Sequence, residues 1–142
     1  MKHIPPSPFA NDDGSADPTL ATLIDQWVQG RTPLALVTKV LAHSRVLVPV
    51  VAVLDDVHDD GTEKDSHMAM PMMVRPDGRK GVLAFSSMEA LRRWQPDARA
   101  VPVWGLDAAK AAAGEADALV IDVMGPVRIP IQGHDLKVML QQ

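Results

Sequence analysis

The polar segment at residues 55–67 contains the one cluster of side chains in this sequence that suggests metal binding. Its run Asp56-Val57-His58-Asp59-Asp60-Gly61 imitates the opening of a calcium-binding loop, in which a bidentate glutamate supplies the last ligand. His67 occupies that last position, and the flanking residues are typical of strands rather than helices. A transition metal held by His58 and His67 would have to order a long polar loop at a cost in chain entropy. We therefore expect a solvated loop without a metal, although the sequence leaves metal binding open.

Two serine pairs are the other candidates for chemistry. A nucleophilic serine needs a base within hydrogen-bond distance and a third group that orients the base, which adjacency in Ser66-His67 or Ser86-Ser87 does not supply. The sequence also lacks a Gly-x-Ser-x-Gly elbow and a glycine-rich phosphate loop. Ser86 lies three residues before Glu89, which is the spacing of a helix capping box. We therefore predict that Ser86 caps a helix, and that the protein has no catalytic residues, needs no cofactor and is not an enzyme.

Four methionines close to residue 70 could form an adaptable binding surface. If the segment is a strand, alternation places Met68, Met70 and Met72 on one face and Met73 on the other. Filling of the hydrophobic core is the commoner use of such residues, and a ligand surface is the alternative.

Two amphipathic helices are predicted at the start of the ordered chain. Asp17 and Pro18 supply an N-cap and a favoured first helical residue, and apolar residues at helical spacing continue until Gly30. Thr32-Pro33 repeats the start signal, and the second helix closes near residue 43. Residues 1–16 are rich in proline and polar side chains, so we expect a flexible tail followed by a single domain at residues 17–142.

Strands and helices then alternate. Residues 46–54 are apolar on both alternating faces, as in a strand covered on both sides, but Pro49 must face a free edge, a bulge or the strand's beginning because it has no N–H. Residues 68–74 and 80–85 form a predicted hairpin, in which Asp77-Gly78 supplies the positive φ of a tight turn. The remaining elements are a helix at 86–94, a strand at 100–104, a helix at 107–116, a strand at 118–123, an edge strand at 127–131 and a helix at 133–140. We expect Trp94 and Trp104 to anchor helix to sheet, and the alternative is that they cap a groove. The predicted fold class is therefore α/β (α+β), a mixed β-sheet with packed helices.

Composition excludes several classes of function. The 142 residues suit one domain, and the absence of cysteine removes disulfides, thiolate nucleophiles and thiolate metal sites. A net charge of −4 and only three Trp, two Phe and no Tyr argue against a nucleic-acid partner. No apolar run approaches the roughly 20 residues that span a bilayer, and the first residues do not form a signal peptide. We expect a cytoplasmic protein without a membrane partner.

Several of these segments, taken in order, resemble the SseB family, the N-terminal domain of enhanced serine sensitivity protein B, in the form common in actinobacteria. The segments are residues 47–54, Asp77-Gly78-Arg79, residues 84–87 with Leu91 and Trp94, residues 98–103, and residues 117–122 with Gly125-Pro126. The resemblance covers about residues 20–140. It implies a small mixed α/β domain in the bacterial cytosol and brings no established catalytic residue. Longer members of the family resemble this chain only in their first half.

These observations favour a protein-binding or adaptor module with a protein partner of unknown identity. The predicted surface combines the methionine strand with the following helix, namely Met68, Met70, Met72, Glu89, Arg92 and Arg93. Self-association through the same surface is open. The alternatives are a sensor of a small metabolite, which could be related to amino acids, and an enzyme whose residues are not recognisable.

Overall fold

The computed structural model describes residues 8–54 and 66–142. Within them the chain forms, in order, α1 (Pro18–Val28), α2 (Leu34–Ala42), β1 (Arg45–Leu54), β2 (Ser66–Ala69), β3 (Met72–Val74), β4 (Lys80–Ala84), α3 (Met88–Trp94), β5 (Arg99–Trp104), α4 (Gly105–Glu115), β6 (Ala118–Ile121), β7 (Ile129–Gln132) and α5 (Gly133–Leu140). None of the helices described is long and apolar enough to cross a membrane.

The first helix begins as its sequence predicts. The carboxylate of Asp17 accepts hydrogen bonds from the amides of Thr19 and Leu20, and Pro18 occupies the first turn. Gly30 follows the helix with a φ of 74°, a backbone conformation that favours glycine. The second helix differs in its cap, because Pro33 at the N-cap position has no side-chain hydrogen bond.

The strands form two sheets, which confirms the mixed α+β class. The first has the order β2-β1-β5 and is antiparallel throughout. The second has the order β3-β4-β6-β7, with β4 and β6 parallel and the outer pairs antiparallel. A bridge of two 2.8 Å backbone hydrogen bonds between Leu47 and Phe85 joins the sheets.

The predicted hairpin is confirmed at its turn and corrected in its first strand. Gly78 has a φ of 90°, and the amide of Arg75 donates to the carbonyl of Arg79 across the turn at 2.8 Å. Residues 68–74, however, are not one strand of this hairpin. β2 pairs with β1 and β3 pairs with β4, and the chain changes sheet at Met70 and Pro71. Pro71 lacks the N–H that a continuous ladder would need.

Pro49 lies at a gap between two pairing partners. The amide of Leu47 donates to Phe85, so alternation places the nitrogen of Pro49 at the same edge of β1. Along that edge β1 next pairs with β2, beginning at Val51. The Pro49 nitrogen, which has no hydrogen to donate, therefore lies where β1 has no pairing partner among the described residues, as the sequence predicts.

Two hydrophobic clusters lie on opposite faces of the four-stranded sheet. The larger one packs α1, α2, α4 and α5 against inward side chains such as Val82 and Leu119. The smaller one packs α3 against the alternate side chains, such as Leu83 and Val120. Both faces of β4 and β6 are thus apolar, which explains why their sequences show no polar alternation.

The two tryptophans singled out in the sequence have different environments. Trp94 is half-buried and its ring centroid lies 5.7 Å from that of Phe85, so it anchors α3 as expected. The same expectation is wrong for Trp104, which is 42% exposed. Phe9 covers part of the Trp104 ring at a centroid distance of 4.8 Å.

The described part of the N-terminal segment lies against the domain. Asp12 forms a 2.8 Å ion pair with Arg45 in which both side chains are largely buried, and the guanidinium of Arg45 also donates to the carbonyl of Ser15. The carbonyl of Gly14 accepts the amide of Met88 at the start of α3. Residues 1–7 lie outside the described residues, and the flexibility of residues 1–16 remains a prediction.

Candidate functional site

A shallow pocket lies on one face of the four-stranded sheet. Its floor includes one row of side chains that the strand pairing places side by side: Met73 opposite Gly81, Gly81 opposite Ala118, and Ala118 opposite Gln132. The two central members are glycine and alanine, while the outer two are long. The row is therefore low in the middle of the sheet, which is the origin of the pocket.

The pocket has a volume of about 360 Å³ and a largely apolar floor. Every lining residue belongs to a strand or to the chain beside a strand, so no described helix covers this part of the sheet. Gly81 keeps the floor low because it has no side chain. A Cβ at this position would lie only 3.0 Å from a methyl group of Val120. The pocket thus depends on a glycine that the sequence alone does not distinguish from an ordinary strand glycine.

The rim of the pocket is positively charged. Arg75 and Arg79 belong to the β3–β4 turn, Lys80 begins β4 and Arg128 precedes β7. Asp117 is the one acidic residue of the lining. Asp117 is held by the backbone of Lys80, because its carboxylate accepts the Lys80 amide at 2.8 Å. The pocket lining is therefore cationic although the whole chain carries a net charge of −4.

The rim cations have few internal partners. Arg79 lies 3.4 Å from Asp77, but both side chains are at least half exposed, so solvent weakens that pair. Arg75, Lys80 and Arg128 form no ion pair with another side chain in the part of the chain that the structure describes. Their charge is available to an anion that enters the pocket.

A second polar site joins the carboxyl ends of the parallel strands β4 and β6. The amide of Ser86 donates to Oδ1 of Asp122 at 2.8 Å, and the Ser86 hydroxyl donates to Oδ2 at 2.6 Å. Asp122 has a φ of 53°, a conformation that aspartate tolerates better than most residues. Burial raises the pKa of the Asp122 carboxyl, while the hydrogen bonds from Ser86 and the charge of Arg93 act in the opposite direction.

This pair fills a position where α/β sheets often bind ligands, but its oxygens are occupied from within the chain. Both carboxylate oxygens of Asp122 accept from Ser86, so the pair fixes one strand end to the other. A pocket of about 210 Å³ lies beside it, lined in part by Asp25 and Arg93. Sequence analysis missed Asp122, and the signal available was an acidic residue directly after a buried strand.

The capping prediction for Ser86 is wrong by one residue. Ser87 is the N-cap of α3, and its hydroxyl accepts the amide of Ala90 at 3.1 Å. Glu89 does not complete a capping box through Ser86, since its carboxylate pairs with Arg93 at 2.8 Å. The two adjacent serines therefore have different structural roles. Ser87 caps α3 and Ser86 binds Asp122, and the sequence pattern indicated only the cap.

The predicted methionine surface is divided between the two faces of the sheet. Met70 is 41% exposed, whereas Met72 is half-buried and packs against the larger cluster. Met73 packs against the smaller cluster and also lines the pocket. Met68 belongs to β2, and its side chain lies outside the described set. Met72 thus fills the core, while Met70 is available on the surface.

The predicted helix residues lie on the outer side of α3. Glu89, Arg92 and Arg93 are all exposed, and the Glu89–Arg93 pair spans one helical turn. Because α3 and Met73 share the smaller cluster, the structure brings Met73 rather than Met72 to this side of the sheet.

The predicted metal-binding alternative falls mainly on residues 55–65, which lie outside the described residues. Among residues 8–54 and 66–142, no group of three or more histidine or acidic side chains is close enough to hold a metal ion.

Comparison with known protein families matches residues 20–137 to the SseB protein N-terminal domain. The chain belongs to this family. The matched range begins in α1 and ends in α5, so it includes the cationic pocket, the Ser86–Asp122 pair, the smaller hydrophobic cluster and all of the larger one except Met139 and Leu140. Comparisons with curated proteins and with solved structures gave no significant match.

Proposed function

We propose that this SseB domain is a non-catalytic protein-binding module, and that it binds its partner at the pocketed face of the four-stranded sheet. The observation that carries the proposal is the pocket itself, an uncovered apolar depression with charged groups at its rim. A concave apolar surface with polar groups around it is the usual form of a recognition site. A cytoplasmic location and the absence of catalysis are parts of the same proposal.

Exposed apolar side chains beside the pocket support a protein as the partner. Val74, at the end of the edge strand β3, is 61% exposed, and Met70 just before that strand is 41% exposed. Stable protein partners typically bury above about 1,000 Å² in total, more than the pocket alone can provide. The interface would therefore extend from the pocket over Met70 and onto the outer side of α3, where Arg92 and Arg93 are exposed.

A sensor of a small metabolite is the second candidate. The pocket volume of about 360 Å³ falls within the range of about 300–1,000 Å³ found for small-molecule sites. The two candidates differ in what the pocket contacts in the cell, a neighbouring protein or a free molecule.

A photo-crosslinking amino acid placed at Val74 tests the proposal in the cell that makes this protein. The matched control is the same amino acid at Val28 of α1, which is similarly exposed at 57% and is not among the pocket-lining residues. We expect a discrete protein adduct from position 74 and none from position 28. The adducted protein, once identified and purified, should bind the wild-type domain directly.

Three results would overturn the proposal. The first is the same adducts from both positions, which indicates non-specific contact. The second is no protein adduct from position 74, and a small molecule that stays bound through purification would then favour the sensor. The third is turnover of a metabolite by the purified domain alone, which makes it an enzyme.

A further inference from the structure

We infer that the segment bound in the pocket is an acidic, extended stretch of the partner protein, with one apolar side chain seated over Gly81 and Ala118. This inference rests on the proposed function, since it specifies the chemistry of the partner at the same site. Its basis is the combination of a low apolar floor with rim cations that have few partners of their own.

The floor selects an apolar side chain at the centre of the segment. Gly81 and Ala118 contribute almost no side chain, and Val120 and Pro130 continue the apolar surface along the strands. A side chain that fills this depression removes apolar surface from water on both partners. A polar side chain there would give up hydration without a clear partner in the floor.

The rim selects negative charge on both sides of that apolar side chain. Arg75, Arg79 and Lys80 lie at the end of the sheet where β4 begins, whereas Arg128 lies just before β7, which runs antiparallel to β6. The cations therefore enter the pocket from opposite ends of the strands. A segment lying diagonally over the sheet, from the start of β4 towards the start of β7, meets positive charge before and after its central residue, and carboxylates at those positions complement it.

A protein segment fits the pocket better than a nucleic acid does. The pocket lining contains no aromatic side chain on which bases could stack. Away from the pocket, the net charge of −4 on the chain opposes a long polyanion. A short acidic segment places its charge only where the cations are.

The direct test measures binding of a labelled glutamate-rich peptide with one central leucine by fluorescence anisotropy. Two matched peptides replace the glutamates by glutamines or the leucine by glycine, which tests the rim and the floor without changing the protein. We expect each replacement to weaken binding about tenfold. Binding of the parent peptide should also fall as salt is raised, because the rim is exposed.

Charge reversal in the protein tests the same contact. Arg128→Glu should weaken peptide binding about tenfold, whereas Lys110→Glu should leave it unchanged, because Lys110 is an exposed residue of α4 that is not among the pocket-lining residues. The two variants change the net charge equally, so a difference between them reports the pocket. Both are surface substitutions, and circular dichroism checks that each is folded.

The failures of the two proposals are distinguishable. If the Val74 crosslink identifies a partner but binding is insensitive to Arg128→Glu and to glutamine replacement, the acidic segment is wrong and the protein-binding function stands. If a single-stranded oligonucleotide or inorganic phosphate displaces the peptide at lower concentration than unlabelled peptide does, the inference is also wrong. If position 74 gives no partner, the proposed function fails whatever the peptide does.

Discussion

The Ser86 hydroxyl donates a 2.6 Å hydrogen bond to the carboxylate of Asp122, across the carboxyl ends of two parallel strands. The Ser86 amide binds the other carboxylate oxygen, so one acidic side chain holds both the main chain and the side chain of the serine. Ser86 directly precedes the N-cap of α3, so this contact holds the chain at the start of that helix. The carboxylate thereby links the sheet to the helix that covers the smaller cluster.

The Asp122 carboxyl makes stability depend on pH. Burial raises its pKa above the ordinary value of 3.8, so folding favours the protonated form. The stability from this group is fully present below about pH 3.8 and is lost as pH rises through the raised pKa. The free energy of unfolding of wild type, minus that of Asp122→Asn, should therefore increase as pH falls towards 3.8.

Urea unfolding of both proteins at a series of pH values measures this difference. Asparagine tolerates the positive φ at this position, so the variant keeps the backbone. Asp77 has a lowered pKa, mainly because it accepts a hydrogen bond from the backbone amide of Arg79. Asp77 is present in both proteins, so its contribution cancels in the difference. A difference that stays constant, or that decreases on acidification, would show that the folded-state pKa of Asp122 is not raised.

Ser87→Ala should lower the free energy of unfolding by about 1 kcal/mol, because the Ala90 amide loses its acceptor at the start of α3. Thermal and denaturant unfolding measure the loss. Ser87→Asp is the matched control, since aspartate is also a favoured N-cap and should restore most of the stability. Equal losses in both variants would mean that the hydroxyl is needed for something other than capping.

Two glycines of α4 should respond in opposite directions to alanine. A Cβ on Gly105 would overlap the carbonyl oxygen of Leu41, so Gly105→Ala should cost about 3 kcal/mol. Gly114 lies in the same helix with no atom near its Cβ position, and Gly114→Ala should stabilise the protein by about 0.5–1 kcal/mol. Melting temperatures of the two variants test the close approach of α4 to α2. Similar melting temperatures would contradict it.

Met70→Glu should weaken partner binding or self-association while leaving the fold intact, if the interface extends over the surface between β2 and β3. Leu36→Glu is the matched control, because Leu36 is exposed to the same 41% but belongs to α2. Light scattering and titration with the crosslinked partner provide the measurement. Unchanged binding and mass in Met70→Glu would remove this residue from the interface, as would an equal effect of the control.

Local signals in the sequence determined most of the elements. Asp17 and Pro18 start α1, the Asp77-Gly78 turn closes the hairpin, and the apolar run before Asp122 forms β6. Each depends on contacts within a few residues, such as a cap or a turn hydrogen bond, so neighbouring residues suffice to predict it. The family resemblance extended the same kind of information along the chain, and the family match confirms it.

Only the tertiary structure decided which distant residues meet. Residues 68–74 have one continuous strand-like pattern, but they are divided between two sheets because Pro71 interrupts the ladder and each half finds a different partner. Ser86 binds Asp122, 36 residues away, instead of capping α3. The pocket exists because strand pairing places Gly81 beside Ala118 and brings Arg128 to the same face as the hairpin cations. Strand order and register are set by long-range packing, so neither the Ser86–Asp122 pair nor the pocket can be predicted from local spacing.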